Sequence, residues 1–390
     1  MSVNLSLRQL EGKKVGLLAG GGLSCWVVAR VLKDQGVNVT VFCADVAQDE
    51  EPLLAGFLAD MDRNEIPVTR IDLRSAAAEM AMDLARYDAR YRGEYWNTTS
   101  ALRMLLVRDL LPELQKAGCT VLAHGCVGGG NDERRFSNYT QQYAPNMAIF
   151  SPWRDLEMLS LLKSRQDMLE YIARTYPKGP LLEAKAMESV DGSLIGASFE
   201  GDWLEDLENP WTKTRFARSV NLCKGAETIH QIRLAFEGGT LVSLNGKRLS
   251  ALDILTELNT RAGEAGVGRS SVIEDRISGA KMRGVYEAPA LTVLGQAFRN
   301  ARQFALSEKE LDLFHSLSQH LGSEIYDGFG DSDGARAAKA AMGLLNARLD
   351  GTVSMTLTAG HALPVAFHAQ EHASHVKHQR RFGQGGSSWN

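Results

Sequence analysis

The sequence predicts an α/β protein: a parallel-sheet domain followed by an α+β domain. Three observations carry this. A short apolar run, Lys14–Ala19, ends in Gly20-Gly21-Gly22, then comes a helical pattern, then a second apolar run rich in Val, Thr and Phe. A long amphipathic segment, Ser100–Ala117, leads into the apolar run Thr120–Ala123, which again ends in glycines. Beyond about residue 170 the pattern changes to paired strands mixed with helices. Strands alternating with helices favour a parallel sheet; hairpins and helices in separate runs favour an α+β arrangement.

Each element has a local reason. Leu23–Gln35 places Trp26, Val27, Val28, Val31 and Leu32 at helical spacing, and Gly36 stops it. Val37–Ala44 alternates as a strand does. This is a β-α-β unit with glycines at its first strand-to-helix turn. Later, Ile229–Phe236 and Gly239–Leu244 read as strands, and Asn245-Gly246 as a hairpin turn. Ala251–Gly263, Ser307–Gly322 and Ala335–Asp350 read as helices, and Val353–Thr358 as a strand. Ser307 with Glu310 forms a capping-box pattern. Gly266–Tyr286 is rich in Gly, Arg and acidic residues. The expected divisions are 1–172, a parallel α/β domain; 173–378, an α+β domain; and 379–390, a flexible basic tail.

The chain has 390 residues, 44% hydrophobic and 23% charged, an ordinary globular composition with ample core for two domains. A formal net charge of −4 leaves no electrostatic footprint for nucleic acid. The cysteines, Cys25, Cys43, Cys119, Cys126 and Cys223, are scattered, with no CxxC pair. That argues against a zinc site and a disulfide scaffold, and for a reducing cytoplasm. No apolar run approaches the roughly 18 residues of a membrane span, and Met1–Lys14 lacks a signal-peptide pattern. The expected partners are small molecules, with no nucleic acid and no membrane.

The densest chemistry lies in Ala123–Phe136. Gly125, Gly128 and Gly130 let backbone N–H groups approach an anion, Asn131 and Asp132 can hold an amine or amide, and Arg135 can clamp a carboxylate. Gly20-Gly21-Gly22, at a helix N-terminus, is a second candidate anion site. It has three readings. One is a dinucleotide turn in a nicotinamide-dependent oxidoreductase, with Cys25 where the third glycine should be and Asp45 ending the next strand. Another is a pyrophosphate loop in an ATP-using enzyme. The third is a tight turn without a ligand. Cys25 could be activated by the helix N-terminus or could simply be a small buried residue. His368, His372, His375 and His378, spaced by four, three and three, would line one face of a helix. They could bind a transition metal or belong to a solvated tail with Lys377, Arg380 and Arg381, and no residue is assigned to a metal. Trp96, Trp153 and Trp203 read as packing residues, with Trp96 beside the candidate pocket.

Several blocks in order resemble the argininosuccinate synthase family. That family opens with a strand, Ser-Gly-Gly-Leu-Asp-Thr-Ser, a helix, and a strand ending Ala-Asp-Val-Gly-Gln. Here the second strand ends Ala44-Asp45-Val46-Ala47-Gln48. The 123–136 block is similar to the family's glycine loop followed by Gly-Asn-Asp and Arg-Phe. Tyr95–Ser100, Pro152-Trp153, Ser189-Val190-Asp191, Ile273–Arg276 and Lys281–Pro289 match as well. The resemblance implies an adenine-nucleotide-binding PP-loop domain, a homotetramer, and ATP with Mg²⁺. It implies a reaction in which the ureido oxygen of citrulline attacks the α-phosphorus of ATP, pyrophosphate leaves, and the amine of aspartate then displaces AMP. It places Tyr95, Ser100, Asn131, Asp132, Arg135, Ser189, Ser198, Glu274 and Tyr286 at amino-acid-binding positions, and Gly20, Gly21, Gly22, Ser24, Ala44, Gly125, Gly128 and Gly130 at nucleotide positions. Asp132 and Arg135 are the candidate catalytic pair, with Asp132 and Asn131 positioning the nucleophile.

The chain departs from the family in both glycine loops. The first reads Gly20-Gly21-Gly22-Leu23-Ser24-Cys25-Trp26, so its first hydroxyl and its Asp are gone and a bulky Trp26 replaces the last Ser. In the second, Val127 stands for a Thr and Gly129 for a Lys, which weakens the grip on a carboxylate. Two functions follow from the resemblance. One is a ligase that activates citrulline or a related ureido or guanidino amino acid with ATP. The other is a divergent relative that keeps the amino-acid pocket for binding, regulation or a different reaction.

Overall fold

In the computed structural model, which describes residues 3–48, 51–174, 189–275 and 281–369, the N-terminal sheet is parallel throughout. Its strands are β1 (Lys14–Leu18), β2 (Asn38–Asp45), β3 (Val68–Asp72), β4 (Val121–His124) and β5 (Ala148–Phe150), in the order β3-β2-β1-β4-β5. The order reverses between β1 and β4. Such a reversal opens a crevice at the carboxyl ends of the two strands, and both glycine segments leave from there. β1 and β4 are buried almost throughout, as strands covered on both faces must be.

Six helices of the N-terminal half matter for the site or its support. They are α1 (Leu23–Asp34), α2 (Glu51–Arg63), α3 (Arg74–Arg86), α4 (Thr98–Lys116), α5 (Asn131–Tyr143) and α6 (Leu156–Leu161). The predicted β-α-β unit is present within a residue or two of its expected ends. Trp26, expected as bulk in the first glycine loop, turns the other way. It is fully buried, its Nε1 donates to Asp60 Oδ2 at 2.6 Å, and its ring meets Phe57 edge-on at 5.8 Å. Arg30 Nη1 completes the buried group, 3.3 Å from the same Asp60 oxygen.

A further helix, α7 (Arg165–Ala173), packs on α1 and ends the N-terminal half. The remainder holds two antiparallel sheets. One joins β6 (Ser189–Ser193), β7 (Gly196–Glu200), β11 (Arg269–Asp275) and β12 (Lys281–Glu287) in the order β11-β12-β7-β6. The other joins β8 (His230–Glu237), β9 (Thr240–Leu244), β10 (Lys247–Arg248), β13 (Gly351–Thr358) and β14 (His361–Ala369) in the order β10-β9-β8-β13-β14. The Asn245-Gly246 turn has positive φ at both residues, 52° and 80°, the form that matches the twist of a hairpin.

The C-terminal helices are α8 (Ala251–Glu264), α9 (Pro289–Ala305), α10 (Glu308–Asp327) and α11 (Asp333–Asn346). α10 opens with the expected capping box, Ser307 N donating to Glu310 Oε2 at 2.8 Å. α11 stops four residues before the predicted Asp350, where Ala347–Asp350 turns into β13. His368 lies on β14, not on a helix; His372, His375 and His378 fall outside the described residues.

One apolar cluster runs across both halves, including Ala77 and Leu84 of α3, Leu105 of α4, Leu255 of α8 and Leu294 of α9. The shared core fixes α4 and α5 against the C-terminal sheets, and the candidate pocket lies between them. Among the described residues, no helix is long and apolar enough to cross a membrane.

The placement of Trp26 gives a test. Trp26→Ala should cost about 3–5 kcal/mol in urea unfolding, the usual loss for emptying a buried tryptophan site. A loss below about 1 kcal/mol would show that the ring is not part of this core.

Candidate active site

The two glycine segments face each other. Gly22 caps α1 without a side-chain acceptor, and Gly21 has φ +87°. A Cβ added at Gly20 or Gly22 would meet nothing within 4 Å, so the space beside both is open. Ser24 sits half-buried in the first turn of α1. A Cβ at Gly125 would come 2.7 Å from Cys25 Sγ, so only glycine lets the loop after β4 approach α1 this closely. Burial pushes the Cys25 thiol up from its ordinary value, which favours the reading of Cys25 as a small packed residue over that of an activated thiol. Cys126 is raised by burial in the same way.

In the second loop, Gly128 is forced by packing: a Cβ there would lie 2.2 Å from the carbonyl oxygen of Trp153. Gly129 has φ +77°, and its N–H donates to Glu133 Oε2 at 2.5 Å. Gly130 caps α5. Trp153 holds the loop from behind, its Nε1 donating to the Gly125 carbonyl at 3.1 Å. Ala44 is buried at the end of β2, and its carbonyl accepts from Gln48 Nε2 at 3.1 Å. Trp96 packs on α9, where a Cβ at Gly295 would come 2.3 Å from its ring.

Beside the loops lies a pocket walled by tyrosines. Tyr95 stacks on Tyr286 at 4.0 Å between ring centres, and Tyr91 stacks on Tyr326 at 3.7 Å. Glu274 is buried between them, accepting from Tyr326 Oη at 2.5 Å and, through its other oxygen, from Tyr286 Oη. Burial pushes the Tyr286 and Tyr326 hydroxyls up, so both stay protonated and donate. Gly284 leaves room for this pair; a Cβ there would lie 2.6 Å from Glu274 Oε1. Asn131 Nδ2 donates to Tyr326 Oη at 3.0 Å. Ser198 Oγ lies 3.2 Å from Thr99 Oγ1, and Tyr95 Oη accepts from Thr99 N at 2.9 Å. Ser100 is fully buried, and its Oγ has no hydrogen-bond partner among the described residues. Ser189 starts β6, and its side chain lies outside the described positions.

The charged centre is Asp132. One of its oxygens accepts from Arg103 Nε and Nη2 at 3.1 and 2.9 Å, and the other from Arg135 Nη1 at 2.7 Å. Arg103 also pairs with Asp191 of β6. Arg135 donates through Nε to the Tyr326 carbonyl at 2.8 Å and lies over the Tyr326 ring. Burial alone would raise the Asp132 carboxyl, but Arg103 and Arg135 outweigh it and hold it at about 2. So the side chains of Tyr95, Asn131, Asp132, Arg135, Ser198, Glu274 and Tyr286, expected from sequence, are brought into one linked group. Arg103, Asp191, Tyr326 and Thr99 join it without having been expected. Arg103 carried a signal, since it lies three residues after Ser100 on one helix. Tyr326 carried none, because it comes from 191 residues beyond Arg135.

A parallel sheet with glycine turns at its switch point thus lies beside a pocket of charged and hydroxyl groups. The comparisons give its family. Residues 14–176 match the family model described as "Arginosuccinate synthase N-terminal HUP domain", and residues 188–375 match "Arginosuccinate synthase C-terminal domain". The argininosuccinate synthase of Leptospira biflexa is 33% identical over 358 residues, covering 90% of this chain and 87% of that one. That of Oleidesulfovibrio alaskensis is 32% identical over 365 residues, covering 91% and 88%. That of Erythrobacter litoralis is 32% identical over 359 residues, covering 90% and 87%. The chain belongs to the argininosuccinate synthase family.

His124, at the end of β4, gives the site a pH dependence. Its Nδ1 accepts from Cys126 N at 3.3 Å, and burial pulls its pKa from 6.5 to about 4. The folded value lies below the unfolded one, so its contribution is full above pH 6.5 and is lost as pH falls toward 4. Asp132 contributes above about pH 4 and loses its contribution only near pH 2. Denaturant unfolding should therefore lose roughly 3 kcal/mol between pH 7 and pH 4 from His124 alone. His124→Asn should flatten that interval; an unchanged slope in the variant would assign the loss elsewhere.

Proposed function

We propose that this protein is an ATP-dependent C–N ligase. It would activate citrulline, or a related ureido or guanidino amino acid, and join it to an amine. The observation that carries this reading is the convergence of Tyr95, Asn131, Arg135, Ser198, Glu274 and Tyr286 beside two glycine turns. Chance would not bring a guanidinium, a carboxylate and several hydroxyls, all family-matched, to one wall.

Each group has work to do. Arg135 would pair the α-carboxylate, and Glu274, flanked by tyrosine rings, would take the α-ammonium. Ser198 and Ser100 would offer hydroxyls along the bound chain. Asn131 and Asp132 stand between this pocket and the glycine turns, where the ureido end and the incoming amine would meet. Tyr326 is a positioning residue, since its hydroxyl links Asn131 to Glu274.

The open space beside Gly20 and Gly22 fits a triphosphate held by backbone N–H groups, and Gly125 keeps the second loop close against Ser24 and Cys25. The inward turn of Trp26 removes the apparent obstruction. Ser24 would replace one lost donor. ATP would supply the activating group, and Mg²⁺ would arrive on its phosphates. During transfer, the amine nitrogen forms a bond to the ureido carbon, the activated C–O bond breaks, AMP leaves with that electron pair, and the amine proton passes to solvent. We place nucleotide binding in residues 1–172 and substrate closure and assembly in 173–378, in a cytoplasmic homotetramer; light scattering should give the mass of four chains.

The test is pyrophosphate release from ATP and Mg²⁺ with citrulline. Release should depend on citrulline, and Arg135→Lys should lower kcat/KM by about 100-fold, because lysine keeps the charge and loses the forked geometry. No release with any ureido or guanidino amino acid would overturn the reading.

A further inference from the structure

One tyrosine stands behind both charged groups of the amino-acid pocket. Tyr326 lies in the last turn of α10, and its backbone carbonyl accepts from Arg135 Nε at 2.8 Å. Its hydroxyl donates to Glu274 Oε2 at 2.5 Å and accepts from Asn131 Nδ2 at 3.0 Å. A main-chain oxygen thus orients the guanidinium, and the side chain of the same residue orients the carboxylate. Tyr326 is itself held. A helix end leaves carbonyls without partners, and α5 supplies them here. Tyr139 Oη donates to the Ile325 carbonyl at 3.5 Å, Arg135 to that of Tyr326, and Asn138 Nδ2 to that of Asp327 at 2.9 Å. Gly328, with φ +86°, ends the helix where a Cβ would come 3.0 Å from Arg135 Cα.

Both charged groups are left incomplete. Glu274 is 3% exposed, and among the described residues it is held by two phenol hydroxyls and paired with no cation. A buried carboxylate without a counter-ion is costly, so the pocket is short of one positive charge. Arg135 spends Nε on the Tyr326 carbonyl and Nη1 on Asp132, which leaves Nη2 for an incoming carboxylate. We propose that Tyr326, acting through Arg135 and Glu274, makes the pocket select a complete α-amino-acid head group. It sets the guanidinium and the carboxylate at one fixed separation. A ligand with a carboxylate alone leaves Glu274 uncompensated, and one with an ammonium alone leaves Arg135 Nη2 unfilled. The proposal deepens the ligase reading by naming what the pocket requires of its amino acid, and its test needs no turnover. A Tyr326 that served only to hold α10 on α5 would affect every ligand alike.

The experiment measures binding to the full chain by calorimetry, without ATP. The ligands are citrulline, 5-ureidopentanoate, which lacks the α-ammonium, and 4-ureidobutylamine, which lacks the α-carboxylate. Wild-type protein should bind citrulline at least about 30-fold more tightly than either analogue. Tyr326→Phe keeps the ring, its stack on Tyr91 and the carbonyl, and removes only the hydroxyl. It should weaken citrulline and 4-ureidobutylamine by about tenfold and leave 5-ureidopentanoate within about twofold. On a Glu274→Gln background the same change should cost citrulline less than about threefold, because the carboxylate it orients is gone. Equal weakening of all the ligands, no change in any, or the full tenfold cost on the Glu274→Gln background would each overturn the proposal. Citrulline-dependent exchange of labelled pyrophosphate into ATP tests the ligase reading separately. Exchange without the selective loss in Tyr326→Phe removes only the present proposal; the selective loss without exchange removes only the ligase reading.

Discussion

The site depends on one half-buried carboxylate. Asp132 sits between Arg103 of α4 and Arg135 of its own helix, and Arg103 reaches on to Asp191 of β6. This alternation of charges ties the parallel-sheet half to the antiparallel sheet that carries Ser198, Glu274 and Tyr286. Two arginines this close would repel each other without the carboxylate, and the carboxylate would be costly to bury without them. The chain of contacts continues from Arg135 to the Tyr326 carbonyl, and from the Tyr326 hydroxyl to Glu274 and Asn131. A ligand carboxylate arriving at Arg135 therefore meets a guanidinium whose orientation is already set.

The glycine loops work by a different principle, which is close approach. Gly125 lets the β4 loop lie against Cys25, and Gly128 lets it lie against the backbone of Trp153. Neither contact would tolerate a side chain. What remains open is the space at Gly20, Gly22 and Gly129. The first two border the helix N-terminus, and the third has its N–H satisfied by Glu133. The two loops are thus unequal: the first leaves open space beside its glycines, and the second spends its Gly129 N–H on Glu133.

The parts of this arrangement that were legible in the sequence are local. The β-α-β unit, the Asn245-Gly246 turn and the Ser307–Glu310 cap each depend on residues a few positions apart, and each forms as expected. The pocket residues were legible through resemblance, since no spacing rule brings Tyr95 to Tyr286. Direction and distance decided between readings that the sequence left open. Trp26 occupies a loop position in the sequence but points into the α1–α2 core, because Asp60 and Phe57 offer its ring a partner there. Cys25 stands at a helix N-terminus, yet the approach of Gly125 buries it, and burial outweighs the neighbouring dipoles. His368 falls on a strand, because pairing with Thr352 of β13 extends the sheet through it. Glu133 was given no role from the sequence; its contacts with Gly129 N and Arg154 are visible only in the structure.

The central claim is that Asp132 organises the pocket. Asp132→Asn keeps the shape and removes the charge, so unfolding free energy and citrulline affinity should be measured together on that variant. The account predicts a stability loss on the order of 3 kcal/mol, from two arginines left facing each other, and at least a tenfold loss in citrulline affinity. A variant that matches the wild type within about 0.5 kcal/mol in both measurements would contradict it.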